Sequence, residues 1–339
     1  MLSYHLLRSI LFMLDAEQAH ELSLKSLKLL HAFSINPYKI KTPNTQPLNC
    51  MGLTFPNRVG LAAGLDKNGD YIDALGSLGF GFIEVGTVTP RPQPGNPRPR
   101  IFRLPQAEAI INRMGFNNKG IDHLIEQVKK RKYSGILGIN IGKNFDTPIE
   151  NAVDDYLIGL EKAYPYADYI TVNISSPNTK NLRQLQEKAE MEKLLSVLKS
   201  KQQQLEMQHQ TKVPLLIKIA PDLSDDAIAE MADLFLQYEI DGVIATNTTI
   251  SREQVQQYSV AKEAGGLSGK PVFNASNHVI AELNKRLANN IPIVGVGGIS
   301  HVNDAKIKIQ SGASLVQVYS GFIYQGPALI KSLVNAILP

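Results

Sequence analysis

The stretch IPIVGVGGISHVNDAKIKIQSGASLVQVYSG, residues 291–321, decides how the rest of the chain is read. It holds two short apolar runs, IPIVGVGG from Ile291 and LVQVYSG from Leu315, separated by a segment long enough for one helix. That is a strand–helix–strand unit, and a helical crossover makes its two strands parallel. Glycines sit just past both strands. There they let backbone N–H groups close on an anion, and a phosphate is the natural occupant. Glycines placed only for tight turns are a weaker explanation, because two adjacent loops agree.

Six further runs of the same kind lie upstream: NRVGLAAG from Asn57, FGFIEVGTV from Phe80, ILGINIG from Ile136, YITVNIS from Tyr169, PLLIKIA from Pro214 and GVIATNT from Gly242. Eight near-continuous apolar strands alternating with helix-length segments predict an α/β fold, a closed (β/α)8 TIM barrel rather than an open doubly wound sheet. No GxGxxG opens a helix after the first strand, which counts against a Rossmann domain. One connection is too long for a single helix: PRPQPGNPRPRIFRLPQAEAIINRMGFNNKG, between the second and third strands. Its prolines exclude helix at the start, while IFRL and AIIN around a polar PQAE predict a small β-hairpin insertion. Insertions at this end of a barrel usually serve the active site.

Ahead of the barrel, the apolar run from Ile10 to Leu14 stops at Asp15, far short of the roughly 18 residues of a membrane span. Arg8 inside it and the lack of a small-residue cleavage site argue against a secretory signal. Asp15 with Gln18 fits a capping box, and Ala19, Leu22, Leu27, Leu30 and Phe33 fall near one helical face. The expectation is two short helices over 1–40, the second ended by Asn36 and Pro37. A polar linker over 41–56 follows, and then the barrel over 57–339. An amphipathic pair of this kind is either a lid on its own domain or an interfacial foot on a lipid surface, and the pattern alone leaves both open.

The 339 residues are 43% hydrophobic and 19% charged, which supports a large core and excludes global disorder. A net charge of +4 and the absence of Trp argue against a nucleic-acid partner. The single cysteine, Cys50, excludes an internal disulfide and multi-cysteine metal sites, and a reducing, cytosol-facing location is the default. Seven histidines without HxH or HExxH spacing argue against a metal centre.

Barrel chemistry happens at the carboxyl ends of the strands. Those ends carry Asp66 and Lys67, Thr87, Asn140 and Lys143, residues 173–178, Lys218, residues 246–249, 295–298 and 319–321. Lys67 and Lys218 are placed to project into the mouth. There an ammonium favours an electron-rich anionic ring, or forms a Schiff base, or is simply ion-paired. Asn112, Asn140, Asn173, Asn178 and Asn247 give an unusual density of neutral amides, suited to a planar substrate with both N–H and C=O edges. NISSPN supplies the hydroxyls Ser175 and Ser176. With no histidine nearby in sequence, a proton relay to ordered water is more economical than a triad.

With these residues in hand the chain resembles the dihydroorotate dehydrogenases, specifically the membrane-associated, quinone-using class 2 of bacterial type, over residues 11–327. The motifs that carry the resemblance are LDAEQAHELS, CMGLTFPNRVGLAAGLDKNGD, GFGFIEVGTVTPRPQPGNPRPRIFRL, INRMGFNNKG, NISSPNT, KIAPDLS, GVIATNTT, GGLSGKP, IVGVGGI and GASLVQVYSGFIY, with no departure at a motif position. The resemblance implies one FMN per chain and oxidation of dihydroorotate to orotate in pyrimidine biosynthesis, with a membrane quinone as final acceptor. It implies FMN contacts at Ala63, Gly64, Leu65, Asp66, Lys67, Thr87, Asn140, Asn173, Lys218, Thr246, Gly269, Gly298, Tyr319 and Ser320. Substrate contacts are implied at Lys67, Asn112, Arg113, Met114, Gly115, Phe116, Asn173, Asn178, Asn247 and Thr248. Ser176 matches the family's catalytic base. The soluble classes carry a cysteine there, and Cys50 lies upstream of the first strand. By resemblance the helix pair is a membrane foot forming a quinone tunnel, with His20 and Arg103 near the path, on a monomer held peripherally at the cytoplasmic face of the cell membrane. Two rivals remain: a flavin-free phosphosugar isomerase or lyase, which needs a carboxylate base such as Asp66 or Asp222, and a membrane-docked flavin-binding protein without turnover.

Overall fold

A computed structural model describes residues 4–35 and 47–338. Eight parallel strands close into a barrel in chain order: Val59–Leu61, Phe82–Val88, Ile136–Ile141, Tyr169–Asn173, Leu215–Ile219, Gly242–Ala245, Ile293–Val296 and Ala313–Val318. The last pairs with the first, Val316 opposite Val59 and Val318 opposite Leu61. All eight runs read from the sequence are strands, and most of the connections are helical.

Alternation along each strand sorts side chains inward and outward. In the second strand Ile83 and Val85 face the helices, in the main apolar core, while Phe82 joins a separate inner cluster with Tyr169, Leu216, Ile244, Val294 and Leu315. Glycines make room for the inner aromatics. A Cβ on Gly60 would fall 2.3 Å from the Phe82 ring, and one on Gly138 would fall 2.1 Å from that of Tyr169.

The linker expected over 41–56 needs correcting in its described part. Leu48–Cys50 and Leu53–Phe55 pair as an antiparallel hairpin, turning through Met51 and Gly52, both at positive φ. Its apolar side chains close the amino end of the barrel: Phe55 is fully buried, edge-on to Phe82 with ring centres 5.2 Å apart. The segment is structured because it plugs the inner cluster.

The insertion is the expected hairpin, Ile101–Leu104 against Ala109–Asn112, but the structure adds a third strand, Gly266–Gly269, from the loop after the sixth barrel strand. The amino-terminal helices run over Tyr4–Leu11 and Ala16–Ala32. Asp15 caps the second, its Oδ1 accepting from the N–H of Glu17 (2.9 Å) and Gln18 (3.1 Å). The stop expected at Asn36 and Pro37 lies outside the described residues.

That pair is fastened to the barrel by polar contacts. Tyr4 Oη donates to the Ile323 carbonyl (2.6 Å) and Arg8 to that of Tyr324 (2.7 Å). Arg103, from the inserted hairpin, donates to the Leu11 and Leu14 carbonyls and stacks on Phe12. The inward face of the second helix matches the spacing only in part: Ala19 is buried and Leu27 packs on the core, as expected. Glu17 and Leu24 are buried too, whereas Leu22 and Phe33 are exposed. No described helix is long and apolar enough to cross a membrane.

Candidate active site

A cleft opens at the carboxyl ends of the barrel strands, where small-molecule sites of this fold lie. Residues expected at seven of the eight strand ends and in the insertion line it: Ala63, Gly64, Lys67 and Thr87; Asn112, Met114, Gly115 and Phe116; Asn173, Ser176 and Asn178; Lys218; Thr246, Asn247 and Thr248; Gly269, Gly298, Tyr319 and Ser320. Leu65, Asp66, Asn140, Arg113, His20 and Arg103 do not line it.

The structure shows what these six do instead. Leu65 is in the main core. Asp66 turns away from the cleft, its carboxylate accepting from the N–H groups of Asn68, Asp70 and Tyr71, so it braces the loop that presents Lys67. Burial raises its pKa to about 6, against the pull of those N–H groups. Asn140 sits behind Thr87, accepting from Thr87 Oγ1 (2.6 Å) and donating to Glu84 Oε1 (2.7 Å). Arg113 points outward to Glu263 Oε2 (2.6 Å). His20 bonds the backbone of Leu65, and burial, helped by Lys67, lowers its pKa to about 4. Arg103 holds the first helix, as above.

The two lysines differ in their surroundings, yet neither ammonium has a hydrogen-bond acceptor or carboxylate in bonding distance among the described residues. Burial brings Lys67 down to about 8, with Glu17 and Asp66 drawing it up and Arg100 pressing it down. Burial also lowers Lys218, opposed by Glu84. Lys143 is not in the cleft; its Nζ donates to the carbonyls of Asn144 (2.8 Å) and Thr147.

The amides fall into two hydrogen-bonded groups. Asn173 Nδ2 donates to Thr87 Oγ1 (2.9 Å), and Asn247 Nδ2 donates to Ser175 Oγ (3.0 Å) and Asn173 Oδ1 (3.3 Å). Asn178 Nδ2 reaches the Asn112 carbonyl (3.1 Å) and Oδ1 (3.3 Å), joining the fourth-strand loop to the inserted sheet. The two serines separate cleanly. Ser175 is fully buried with Oγ committed to Asn173, whereas Ser176 Oγ lines the cleft, held by the Asn178 N–H at 3.2 Å.

Sequence reasoning missed four side chains that hold this arrangement. Glu84, fully buried inside the barrel, accepts from Asn140, from Tyr169 Oη (3.0 Å) and from Gln317 Nε2 (2.8 Å). Its signal was visible: a charged residue in step with inward-facing Phe82. Gln317 lines the cleft, and its Oε1 is buried without a partner. Arg183 ties three loops together through the carbonyls of Ser175 (3.0 Å) and Thr248 (2.9 Å) and the carboxylate of Asp222 (2.8 Å). Arg100 pairs with Glu17 of the second helix at 2.7 Å, both buried, and donates to the Asn96 carbonyl (2.8 Å). Asn96 in turn donates to the Arg113 carbonyl (2.8 Å).

The chain matches known proteins over most of its length. Residues 47–338 fit the family model described as dihydroorotate dehydrogenase. Among curated relatives, the dihydroorotate dehydrogenase (quinone) of Nitrosomonas eutropha is 60% identical over 336 residues, covering 99% of this chain and 98% of that protein. That of Chromobacterium violaceum is 60% identical over 333 residues, 98% and 97% of the two chains. Among solved structures, DHODH from Eimeria tenella in complex with ferulenol superposes with a TM-score of 0.88 at 38% identity, covering 95% of this chain and 90% of that one.

Proposed function

The chain belongs to the dihydroorotate dehydrogenase family, and we propose that its cleft oxidises dihydroorotate to orotate on a bound FMN, with a membrane quinone as the final acceptor. The observation that carries this reading is one cleft holding a glycine turn for phosphate, two ammoniums without hydrogen-bond acceptors among the described residues, a set of hydrogen-bonded amides and the Ser176 hydroxyl.

The residues present fit a flavin mononucleotide. A Cβ on Gly298 (φ +78°) would fall 2.5 Å from Phe273 Cβ, and one on Gly321 would fall 1.9 Å from the Ile299 carbonyl, so both positions require glycine. The unpartnered Gln317 Oε1 suits an N–H at a ring edge. Gly298, Tyr319 and Ser320 would hold the phosphate, Lys67 and Lys218 the ring edge, and Ala63, Gly64, Thr87, Asn173, Thr246 and Gly269 the remainder. When bound, FMN supplies the acceptor for hydride leaving C6 of the substrate and passes the electrons on to quinone.

The chain's own residues do the rest. Asn112, Asn173, Asn178 and Asn247, with Thr248, Lys67 and residues 114–116, orient the substrate ring. Because the amides bond to one another across two loops, their positions are fixed before substrate arrives, which lowers the cost of alignment. Ser176 Oγ takes the C5 proton. The Asn178 N–H on that oxygen stabilises it as the proton moves, and the serine hands the proton on to water. The carboxylates that a phosphosugar isomerase would need are engaged elsewhere: Asp66 by three backbone N–H groups, Asp222 by Arg183, Thr249 and Ile250.

The helix pair supports docking on a phospholipid surface. Ten of the fifteen large apolar side chains exposed among the described residues fall within residues 6–35, including Leu7, Ile10, Met13, Leu29 and Phe33. Such an exposed cluster marks an interaction surface. His20 and Arg103 flank the ground between that surface and the Lys67 loop, where the quinone would approach a monomer held peripherally at the cytoplasmic face. The test is anaerobic spectroscopy of the purified protein: dihydroorotate should bleach the yellow absorption and added quinone should restore it. Intact colour after dihydroorotate would leave a flavin-binding protein without turnover.

A further inference from the structure

Lys308 lies outside the barrel on the helix Val302–Gln310 and is fully buried, and it does not line the cleft described above. Its stem packs against the seventh strand, where a Cβ on Gly295 would meet Lys308 Cδ at 2.7 Å. Its Nζ donates to Ser276 Oγ (2.9 Å) and Asn277 Oδ1 (2.8 Å) and stands 5.3 Å from the centre of the Phe273 ring. Among the described residues no carboxylate forms an ion pair with it. Asp304, one turn earlier, acts on it only from a distance and is itself capped by the N–H groups of Ser300 and His301. A buried ammonium among neutral partners is costly, and burial brings its pKa down to about 7.

The partners of Lys308 all belong to the start of the helix Phe273–Leu287, which abuts the glycine turn. A Cβ on Gly298 would lie 3.0 Å from the Phe273 N, and one on Gly297 would lie 3.2 Å from Ser276 Cβ. Ser276 Oγ also donates to the carbonyl of Val296 (2.7 Å), the residue just before those glycines. At this end the cleft is lined by Val296, Gly297, Gly298, Tyr319 and Ser320, with no cationic side chain among them. A dianion seated there would find its buried countercharge behind the wall.

We propose that Lys308 is a positioning residue for the cofactor's phosphate: it steadies the Gly297–Gly298 turn through Ser276 and supplies the positive charge that the phosphate faces across it. The inference rests on the FMN reading and deepens it, since it assigns part of the cofactor's affinity to a side chain that never touches it.

The experiment compares full-length holoprotein with Lys308→Met, which keeps the stem and removes the charge. FMN affinity is read from free-flavin fluorescence on dilution, and riboflavin affinity from displacement by excess riboflavin, which lacks the phosphate. Lys308→Met should weaken FMN about ten- to a hundredfold, as expected for losing one unit charge behind a partly buried anion, while riboflavin shifts less than about threefold. An equal loss for both flavins, or none for either, would overturn the proposal. Ser276→Ala, which cuts the relay and keeps the charge, decides the matter if the methionine variant fails to fold: a loss confined to FMN supports the relay, and an equal loss overturns it. A wild-type chain that binds neither flavin would bring down the FMN reading and this inference together, and it would be seen before any substitution is made.

Discussion

His20→Gln is the perturbation whose size the structure sets most directly. His20 has an ordinary value of 6.5 and is brought to about 4, first by burial and then by Lys67. A depressed folded pKa means that the unfolded chain binds the proton first. Stability is therefore full above 6.5 and is lost as pH falls toward 4. Between pH 7 and pH 5 this amounts to a loss of about 2 kcal/mol. Asp66 works in the opposite direction. Its folded value, about 6 against 3.8, is raised by burial, so its contribution is full below 3.8 and is lost as pH rises through 6. Over the same interval acidification returns about 1 kcal/mol. The two nearly cancel in the wild type, whose stability should change by under about 1 kcal/mol between pH 7 and pH 5. Gln keeps an amide for the Leu65 backbone but does not titrate. The variant should then be about 1 kcal/mol more stable at pH 5 than at pH 7, diverging from wild type by about 2 kcal/mol. Urea denaturation of both chains across this range is the assay. Glu17, Asp70 and Asp241, all held low by their cationic partners against the effect of burial, titrate lower and are common to both chains. Parallel stability curves would refute the reasoning, because they would mean that His20 is as protonatable in the fold as in water.

Three further outcomes are expected. Ser176→Ala should retain flavin and orotate binding but slow anaerobic flavin reduction in stopped-flow by ~10² to 10⁴ fold, and unchanged kinetics would take Ser176 out of the role of base. Gly298→Ala places a methyl 2.7 Å from Phe273 Cα at a φ of +78°, so the protein should purify with much less than one flavin per chain; a full complement by visible absorption would show that the turn is not the phosphate cradle. The triple change Leu7→Ser, Ile10→Ser and Phe33→Ser should cut co-sedimentation with anionic phospholipid vesicles by roughly tenfold or more, given the apolar area it removes, with the thermal melting point nearly unchanged because all three side chains are exposed; undiminished sedimentation would place the lipid contact elsewhere.

What the sequence disclosed follows from how local the signals are. Each barrel strand is a short apolar run that reads the same whatever surrounds it, and the insertion hairpin pairs residues only a few positions apart, as with Leu104 and Ala109. The third strand of that sheet was hidden for the opposite reason. GLSG has no β-branched residue, and its partner Asn112 stands opposite Gly266, more than a hundred positions away. The hairpin under the barrel was read as linker because its turn, Met51-Gly52, lacks the Asn-Gly or Asp-Gly pair that usually marks such a turn. In the site, position along a strand was legible and direction was not. Thr87 and Asn140 were read alike, yet Asn140 stands behind Thr87, and Asp66 turns to its own loop. Nor did composition tell Ser175 from Ser176; only the bond from Ser175 Oγ to Asn173 does.

The charges around the cleft also determine how the helix pair should be probed. Lys218 has Glu84 beneath it, inside the barrel, so that balance belongs to the barrel alone. Lys67 is different. Its favourable partners are Asp66 and Glu17, and Glu17 comes from the second amino-terminal helix, where it also pairs with buried Arg100 at 2.7 Å. Removing the helices removes Glu17 and leaves Arg100 uncompensated beside Lys67, the situation in which a buried charge costs most. The Arg100 contacts then carry the disturbance through Asn96 to the loop of Arg113 and the substrate amides. A truncated chain would therefore lose affinity for dihydroorotate and flavin as well as access for quinone, and a poor rate with a soluble dye would not tell these apart. Substitutions at Leu7, Ile10 and Phe33 leave Glu17 in place. With them, a rate that falls for membrane quinone and holds for a soluble dye isolates the path from lipid to flavin.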